Sequence, residues 1–331
     1  MENRAVDIPK FSAAPVRVAA PPAFVPPRPA PAGPTDPRRR PVADLLALIR
    51  PGQWVKNLAV VPLVLLDTRH WTSSGAGRIL WALAVFTLAS AIVYVVNDLA
   101  DRERDRLHPA KRHRPLAAGR IGTGGALALA AVLAGVLTAA VLLRPFAEWW
   151  PVTVYLLISV GYSRGLKHVP LLDAFIVASG FVLRLALGCA AVGRPVPYWL
   201  AVCVFSFCLL LSLGKRRHEL TAAEMGHRPA LSGYTIAFVD QLICLIAGLT
   251  AVSYLLFLRE DPLFAGPADT LALLSALCAL FGLARYLQVL LVEEGGGNPV
   301  RILLRDRVTL VNSALWAVLI GTALLLDATA A

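Results

Sequence analysis

The chain has 331 residues, 57% of them hydrophobic and 16% charged, with a mean hydropathy of +0.65. So apolar a composition excludes an ordinary soluble domain and points to an all-α, polytopic membrane protein, because a spanning helix needs roughly 20 mostly apolar residues. The net charge of +11 is expected to reflect topology and anionic lipid or phosphate ligands, and not nucleic acid.

In chain order, residues 1–41 come first. They are rich in Pro, Ala and Arg without helical periodicity, and a disordered cytoplasmic tail is expected. No apolar stretch follows the first basic residues, so no cleavable signal peptide is expected. Residues 42–331 read as one transmembrane catalytic domain. Apolar stretches lie near 54–68, 77–97, 121–143, 148–163, 170–192, 197–214, 235–258, 268–291 and 308–329, giving nine spans of which the first is short and opens on polar residues. Nine spans put every even-numbered loop on the N-terminal side. Of the 32 Lys and Arg, only Arg69, Arg78, Arg144, Arg194 and Arg259 fall on the opposite face, and Arg184 lies within a span. The positive-inside rule therefore makes the even loops cytoplasmic, for a multi-pass protein of the inner or plasma membrane. Cys189, Cys203, Cys208, Cys244 and Cys278 lie in or beside apolar spans without metal-site spacing and read as small core residues. Gly122-Thr-Gly124-Gly125 and Gly295-Gly-Gly297 follow no strand and read as turns.

Ionisable residues concentrate at cytoplasmic span ends, where they mark a candidate site. Asn97-Asp98-Leu-Ala-Asp101-Arg-Glu-Arg-Asp105 follows directly on the second apolar run. On a helix, positions 98, 101 and 105 share one face across about two turns. Three aligned carboxylates repel unless a cation sits among them. Hard oxygen ligands suit Mg²⁺, which takes one or two carboxylates and completes its shell with water and substrate phosphate oxygens. The positive-inside rule accounts for the bases of this segment and leaves its acids unexplained. Glu103 and Arg104 fall on the other helix face, as solvated or ion-paired residues. Of Lys111, Arg112 and Arg114, at least one is expected to meet phosphate, which the Arg fork suits best; the choice among them stays open.

The second cluster runs from Tyr162 to Asp173. Gly165 and Pro170 break the helices and present Tyr162 and Lys167 at the membrane edge, although Lys167 also fits an ordinary positive-inside lysine. Asp173 is either a helix N-terminal acid or part of the same cytoplasmic pocket. His168 reads as a loop residue. Arg184 lies three turns beyond Asp173 on the same face, and at that depth it is expected to face the bundle interior and meet an anion, as a structural ion pair or a lipid phosphate ligand. The third cluster, Gly214-Lys215-Arg216-Arg217-His218-Glu219, offers Lys215 and Arg216 to phosphate and allows a Lys215–Glu219 pair, though topology alone also accounts for it. Arg285-Tyr286 and Leu304-Arg305-Asp306-Arg307 read as a snorkelling edge or a rim of the site.

The Asn-Asp-x-x-Asp-x-x-x-Asp motif after span two, the Tyr162-x4-Lys167 pair and nine helices with their sites on one face together resemble the UbiA superfamily of membrane prenyltransferases, over about residues 42–330. Arg50-Pro-Gly-Gln53-Trp54-Val-Lys56-Asn57, Asp105-Arg-Leu-His108-Pro109-Ala-Lys111-Arg112, Gly165-Leu-Lys167-His168 and Gly214-Lys215-Arg216 look like its decaprenyl-phosphate phosphoribosyltransferase branch. The resemblance implies transfer of 5-phosphoribose from phosphoribosyl diphosphate to a polyprenyl (decaprenyl) phosphate, the entry step to arabinose donors for the cell wall. It implies Mg²⁺ on Asp98, Asp101 and Asp105, with Asn97 in the same catalytic motif. Substrate contacts would come from Lys56, Asn57, Lys111, Arg112, Arg114, Tyr162, Lys167, Asp173, Arg184, Lys215 and Arg216. The implied partners are these two substrates and the membrane, with self-association as a homo-oligomer left open. Members acting on aromatic acceptors carry a second motif with acids four residues apart. Here Val177 stands at that spacing from Asp173, which favours moving phosphoribose over moving a prenyl group. The competing readings are a prenyltransferase acting on an aromatic or quinone-precursor acceptor, and a non-enzymatic transporter. Transporters place charge near the bilayer midplane, whereas most charge here lies at span ends.

Overall fold

A computed structural model describes residues 41–61, 73–109, 111–143, 149–221, 229–293 and 305–330. Pro41 opens a helix, α1 (Pro41–Ile49), and residues 1–40 of the tail expected over 1–41 lie outside the described residues. A 3-10 helix, Pro51–Val60, follows α1. Next come α2 (Ser73–Ala100), α3 (Arg102–Leu107), α4 (Thr123–Leu142), α5 (Trp150–Arg164) and α6 (Leu172–Ala191). The bundle is completed by α7 (Tyr198–Thr221), α8 (Ile236–Glu260), α9 (Asp269–Leu291) and α10 (Arg307–Ala330).

The all-α expectation holds. Among the described residues, seven helices are long and apolar enough to cross a bilayer: α2, α4, α6, α7, α8, α9 and α10. The fourth expected span is α5, whose 15 residues reach about 22 Å, short of a roughly 30 Å hydrocarbon core. The first, near 54–68, is a 3-10 helix through Val60, and its remainder from residue 62 lies outside the described residues. Pro51 at its start and the polar Gln53, Lys56 and Asn57 within it separate this stretch from a regular apolar helix.

Between lipid tails there is little hydrophobic drive for helix association, so close packing of small residues does most of the work. Ala174, Ala178, Gly180, Ala186 and Gly188 bury most of α6, which packs against α2, α5, α7 and the 3-10 helix. By contrast, α4 buries only Ala126 and Leu137. Phe86, Tyr155, Leu183 and Leu187 join α2, α5 and α6, with Val60 of the 3-10 helix in the same cluster. Ala178, Leu209, Ile243 and Leu290 join α6 to α9. At Gly214 a Cβ would stand 2.3 Å from the Tyr286 hydroxyl, so the approach of α7 to α9 requires glycine there.

Three sequence expectations change. Cys189, Cys208 and Cys278 are buried, but Cys244 is exposed on the outward side of α8. Gly122 caps the start of α4 and Gly124 and Gly125 lie in its first turn, so this segment starts a helix instead of making a free turn; Gly295–Gly297 lies outside the described residues. Arg285 grips Asp306 with two nitrogens at 3.0 Å and Glu293 at 2.8 Å, which makes the expected rim an interhelical clamp between α9 and α10. Hydrogen bonds from Arg285 and Thr309 hold the Asp306 carboxyl well below the usual carboxylate range.

Candidate active site

The apolar run of α2 stops at Ala100, Asp101 sits in a turn (φ −94°, ψ 2°), and α3 restarts at Arg102. Asp101 N–H still donates to Asn97 at 2.9 Å and Asp105 N–H to Asp101 at 2.8 Å, so the three acids stay on successive turns. Asp98 and Asp105 are only 3% and 4% exposed. Buried carboxylates need counter-charge. One Arg114 nitrogen supplies it to both, 3.0 Å from Asp98 Oδ1 and 2.7 Å from Asp105 Oδ2.

Arg50 pairs with the same Asp98 oxygen, and its guanidinium lies 5.3 Å over the Tyr94 ring. It reaches there from a left-handed backbone, φ 49° and ψ 66°, that a non-glycine residue adopts only when its surroundings enforce it. Sequence reasoning left Arg50 out of the site, although its place immediately before Pro51-Gly52 marks a sharp turn back toward α2.

Asp101 pairs with Lys167, carried on a 3-10 turn after α5, Leu166–His168. The three acids thus divide, with two meeting at Arg114 and one at Lys167. Among the described residues no three metal-ligating side chains gather as a metal site, and the three acids stand as a pair, Asp98 and Asp105, with Asp101 apart. The helix break at Asp101 and the competing ammonium of Lys167 are the physical reasons.

Asn97 accepts a hydrogen bond from Ser163 at 3.4 Å, tying α2 to α5, beside the half-buried Tyr162. Lys111 and Arg112 are exposed on the 3-10 turn Lys111–His113, where Arg112 donates to His113 at 3.3 Å. Of the three bases left open, Arg114 is the one that enters the acid cluster. Glu103 pairs with Arg106 at 2.9 Å and Arg104 meets His168 at 2.7 Å, as outer-face residues should.

Asp173 is buried and accepts from Tyr234 at 2.8 Å, with Arg216 Nε 3.6 Å away. Burial and the neighbouring Asp173 push the Tyr234 phenol well above its usual range, so it stays protonated and donates. Leu171 makes this possible with a strained positive φ (65°, ψ −49°), its N–H donating to the Tyr234 hydroxyl at 2.6 Å. Arg216 also pairs with Glu219, which lies 4.0 Å from Lys215. Arg217, given no role from the sequence, binds Asp240 at 2.6 Å and the Leu290 carbonyl at 3.0 Å and so locks α7 to α8 and α9.

Deeper in the bundle, Asn57 accepts from Arg184 Nε at 2.9 Å and from Ser90 at 3.3 Å, and donates to Thr87 at 3.1 Å. Arg184 is buried, donates to the Gly180 carbonyl at 2.7 Å and to Ser90 at 3.3 Å, and lies 4.6 Å, 5.1 Å and 5.2 Å from the rings of Phe86, Phe181 and Tyr155. No carboxylate pairs with it among the described residues, so the expected structural ion pair is not formed there. Lys56, one residue before Asn57 on the 3-10 helix, is exposed. Burial of its surroundings, then the charges of Lys215, Arg184 and Arg50, push its ammonium below the usual lysine range.

The model of the UbiA prenyltransferase family matches residues 58–296. The chain is 32% identical over 302 residues to the decaprenyl-phosphate phosphoribosyltransferase of Mycolicibacterium smegmatis, across 86% of this chain and 93% of that one. It is 33% identical over 300 residues to the protein of the same name from Mycobacterium tuberculosis, across 87% and 97%. Among solved structures, a UbiA homolog from Archaeoglobus fulgidus bound to GPP and Mg²⁺ superposes with a TM-score of 0.63 over 86% of this chain and 99% of that one, at 17% identity, which shows a common fold. The chain is a multi-pass membrane protein that belongs to the UbiA prenyltransferase family.

Proposed function

We propose that this protein transfers 5-phosphoribose from phosphoribosyl diphosphate to a polyprenyl phosphate, releasing diphosphate at the cytoplasmic face of the cell membrane as an early step toward cell-wall arabinan. The observation that carries this reading is the buried pair Asp98 and Asp105 held around a single cationic nitrogen at 3.0 Å and 2.7 Å, with Arg50 and Lys167 beside it. Its support also comes from relatives that bear the phosphoribosyltransferase name over most of their length.

The donor set fits Mg²⁺. A cation already lies between two carboxylate oxygens, and this ion characteristically takes one or two carboxylates together with substrate phosphates and water. Asp98 and Asp105 would hold it, with Asp101 on the next turn. When bound, Mg²⁺ supplies charge neutralisation to the diphosphate leaving group. Arg114, Arg50 and Lys167 then exchange carboxylate partners for diphosphate oxygens, the two arginines through their planar forks.

An oxygen of the polyprenyl phosphate attacks C1 of the ribose as the C1–O bond to diphosphate breaks, and the bonding electrons leave with the diphosphate. A phosphate monoester is anionic at neutral pH, so no strong base is needed. The acidic cluster favours the positive charge that develops on the sugar. Asp173 takes no part in this scheme as a metal ligand. Tyr234 and Arg216 occupy its oxygens, and Val177 stands where a second acid would be required.

Diphosphate release by the purified protein tests the scheme. Release should require phosphoribosyl diphosphate, polyprenyl phosphate and Mg²⁺ together, and Asp98→Asn should lower it by on the order of 10²–10³-fold. Release with either substrate alone at the same rate would remove the proposal.

A further inference from the structure

Between α5 and α6 the chain passes through the 3-10 turn Leu166–His168 and then reverses at Pro170-Leu171. Leu172 N–H donates to the Pro170 carbonyl at 2.8 Å across Leu171, whose φ of 65° and ψ of −49° mark the rare, strained form of the γ-turn. Such strain persists only where the surroundings impose it. Tyr234 imposes it here. Its buried hydroxyl accepts the Leu171 N–H at 2.6 Å and donates to Asp173 at 2.8 Å, so one group ties both sides of the start of α6. Tyr234 is itself fixed between the 3-10 turn Pro229–Gly233 and Thr235, which caps α8 by accepting from Phe238 N–H at 3.2 Å. Gly233 permits the close approach, because a Cβ there would stand 2.3 Å from Pro170 Cγ. On its other side the same connection is joined to the acid segment, through Lys167 with Asp101 and through His168 with Arg104 at 2.7 Å.

We infer that Tyr234 is a positioning residue: by holding the γ-turn at Leu171 it fixes where the α5–α6 connection presents Lys167, and so how that ammonium meets a diphosphate. The inference rests on the reading above in which Lys167 exchanges Asp101 for diphosphate oxygens. Tyr234 acts through Lys167 and not on the substrate, because its one hydroxyl proton is given to Asp173 and its oxygen already accepts the Leu171 N–H. Without the hydroxyl, the Leu171 N–H loses its acceptor and nothing holds the strained turn, which is then free to relax and carry Lys167 with it.

The test is a double-mutant cycle, read as binding of inorganic diphosphate with Mg²⁺ to the full chain in detergent, by calorimetry. Lys167→Gln should weaken binding about tenfold, as expected on losing a charge-assisted contact. Tyr234→Phe removes both hydrogen bonds while keeping the ring. It should weaken binding by about three- to tenfold in the wild-type background and by less than about twofold in the Lys167→Gln background. A hydroxyl that only stabilises the fold would cost the same factor in both. Gly233→Ala presses on Pro170 with the hydroxyl retained, and it should show the same coupling to Lys167 even where Tyr234→Phe fails to fold. Equal losses in the two backgrounds, no loss from Tyr234→Phe or from Lys167→Gln, or no diphosphate binding to wild-type protein overturns the inference. Coupling in a protein that makes no ribosylated lipid leaves the inference standing and removes the phosphoribose reading, whereas equal losses in a protein that makes it do the reverse.

Discussion

At the end of α2 every acid of the motif faces a base: Asp98 meets Arg50 and Arg114, Asp105 meets Arg114, and Asp101 meets Lys167. Around Arg184 in α6, a buried cation faces neutral acceptors and three aromatic rings. The first region is charge-balanced without a ligand, so on the proposed function a diphosphate would bind there by exchange of partners. The second offsets its charge with neutral hydrogen bonds and ring faces.

The comparison breaks most visibly if the balanced cluster is unbalanced. Asp98→Asn strands Arg50, leaves Arg114 with Asp105 alone, and should lower turnover by on the order of 10²–10³-fold, in steady-state kinetics with both substrates varied. Retained turnover would make the cluster a structural brace. Arg114→Lys keeps the charge but replaces the fork by a single ammonium, and a fall of roughly 10–100-fold is expected. If Lys56 is a substrate contact, Lys56→Gln should raise KM for one substrate, with kcat nearly unchanged.

A packing change sharpens the same contrast from outside both regions. Gly214→Ala forces a methyl toward the Tyr286 hydroxyl at 2.3 Å and should cost about 1–3 kcal/mol, read by thermal unfolding in detergent, with Lys215 and Arg216 displaced on the next residues. Smaller still is a pH effect. Because its ammonium is held below the ordinary lysine value, Lys56 loses its charge earlier as pH rises. Any step that needs a charged Lys56 should therefore decline at a lower pH than an ordinary lysine would give, and Lys56→Arg should abolish that decline in a turnover series from neutral to alkaline pH. The smallest effect concerns the α9–α10 clamp. The Asp306 carboxyl is depressed in the folded state, so its contribution to stability is complete above the ordinary carboxylate pKa and is lost as pH falls toward the folded value. Asp306→Asn should remove that acid-side slope from unfolding curves.

Much of this was legible in the sequence because membrane proteins write their topology in hydropathy and charge. The seven long helices follow the apolar runs, and Asn97–Asp105 announced itself as acids at the end of such a run. What stayed hidden depended on contacts far apart in sequence. A helix-face projection put Asp98, Asp101 and Asp105 together, but Lys167, 66 residues away, takes Asp101. Arg50 reaches Asp98 across 48 residues from a strained left-handed backbone that no local propensity predicts. The choice among Lys111, Arg112 and Arg114 turned on which of them folds back toward the acids. Asp173, readable as a metal ligand or a helix-end acid, is claimed by Tyr234 from 61 residues away.

The most direct measurement follows the label. Purified protein in vesicles, with Mg²⁺ and a polyprenyl phosphate, is given phosphoribosyl diphosphate labelled in its ribose, and lipid-soluble label is counted after organic extraction. The expected result is a labelled lipid whose formation depends on Asp98 and Asp105. No labelled lipid, together with transfer of a prenyl group from a prenyl diphosphate to an aromatic acid, would contradict it.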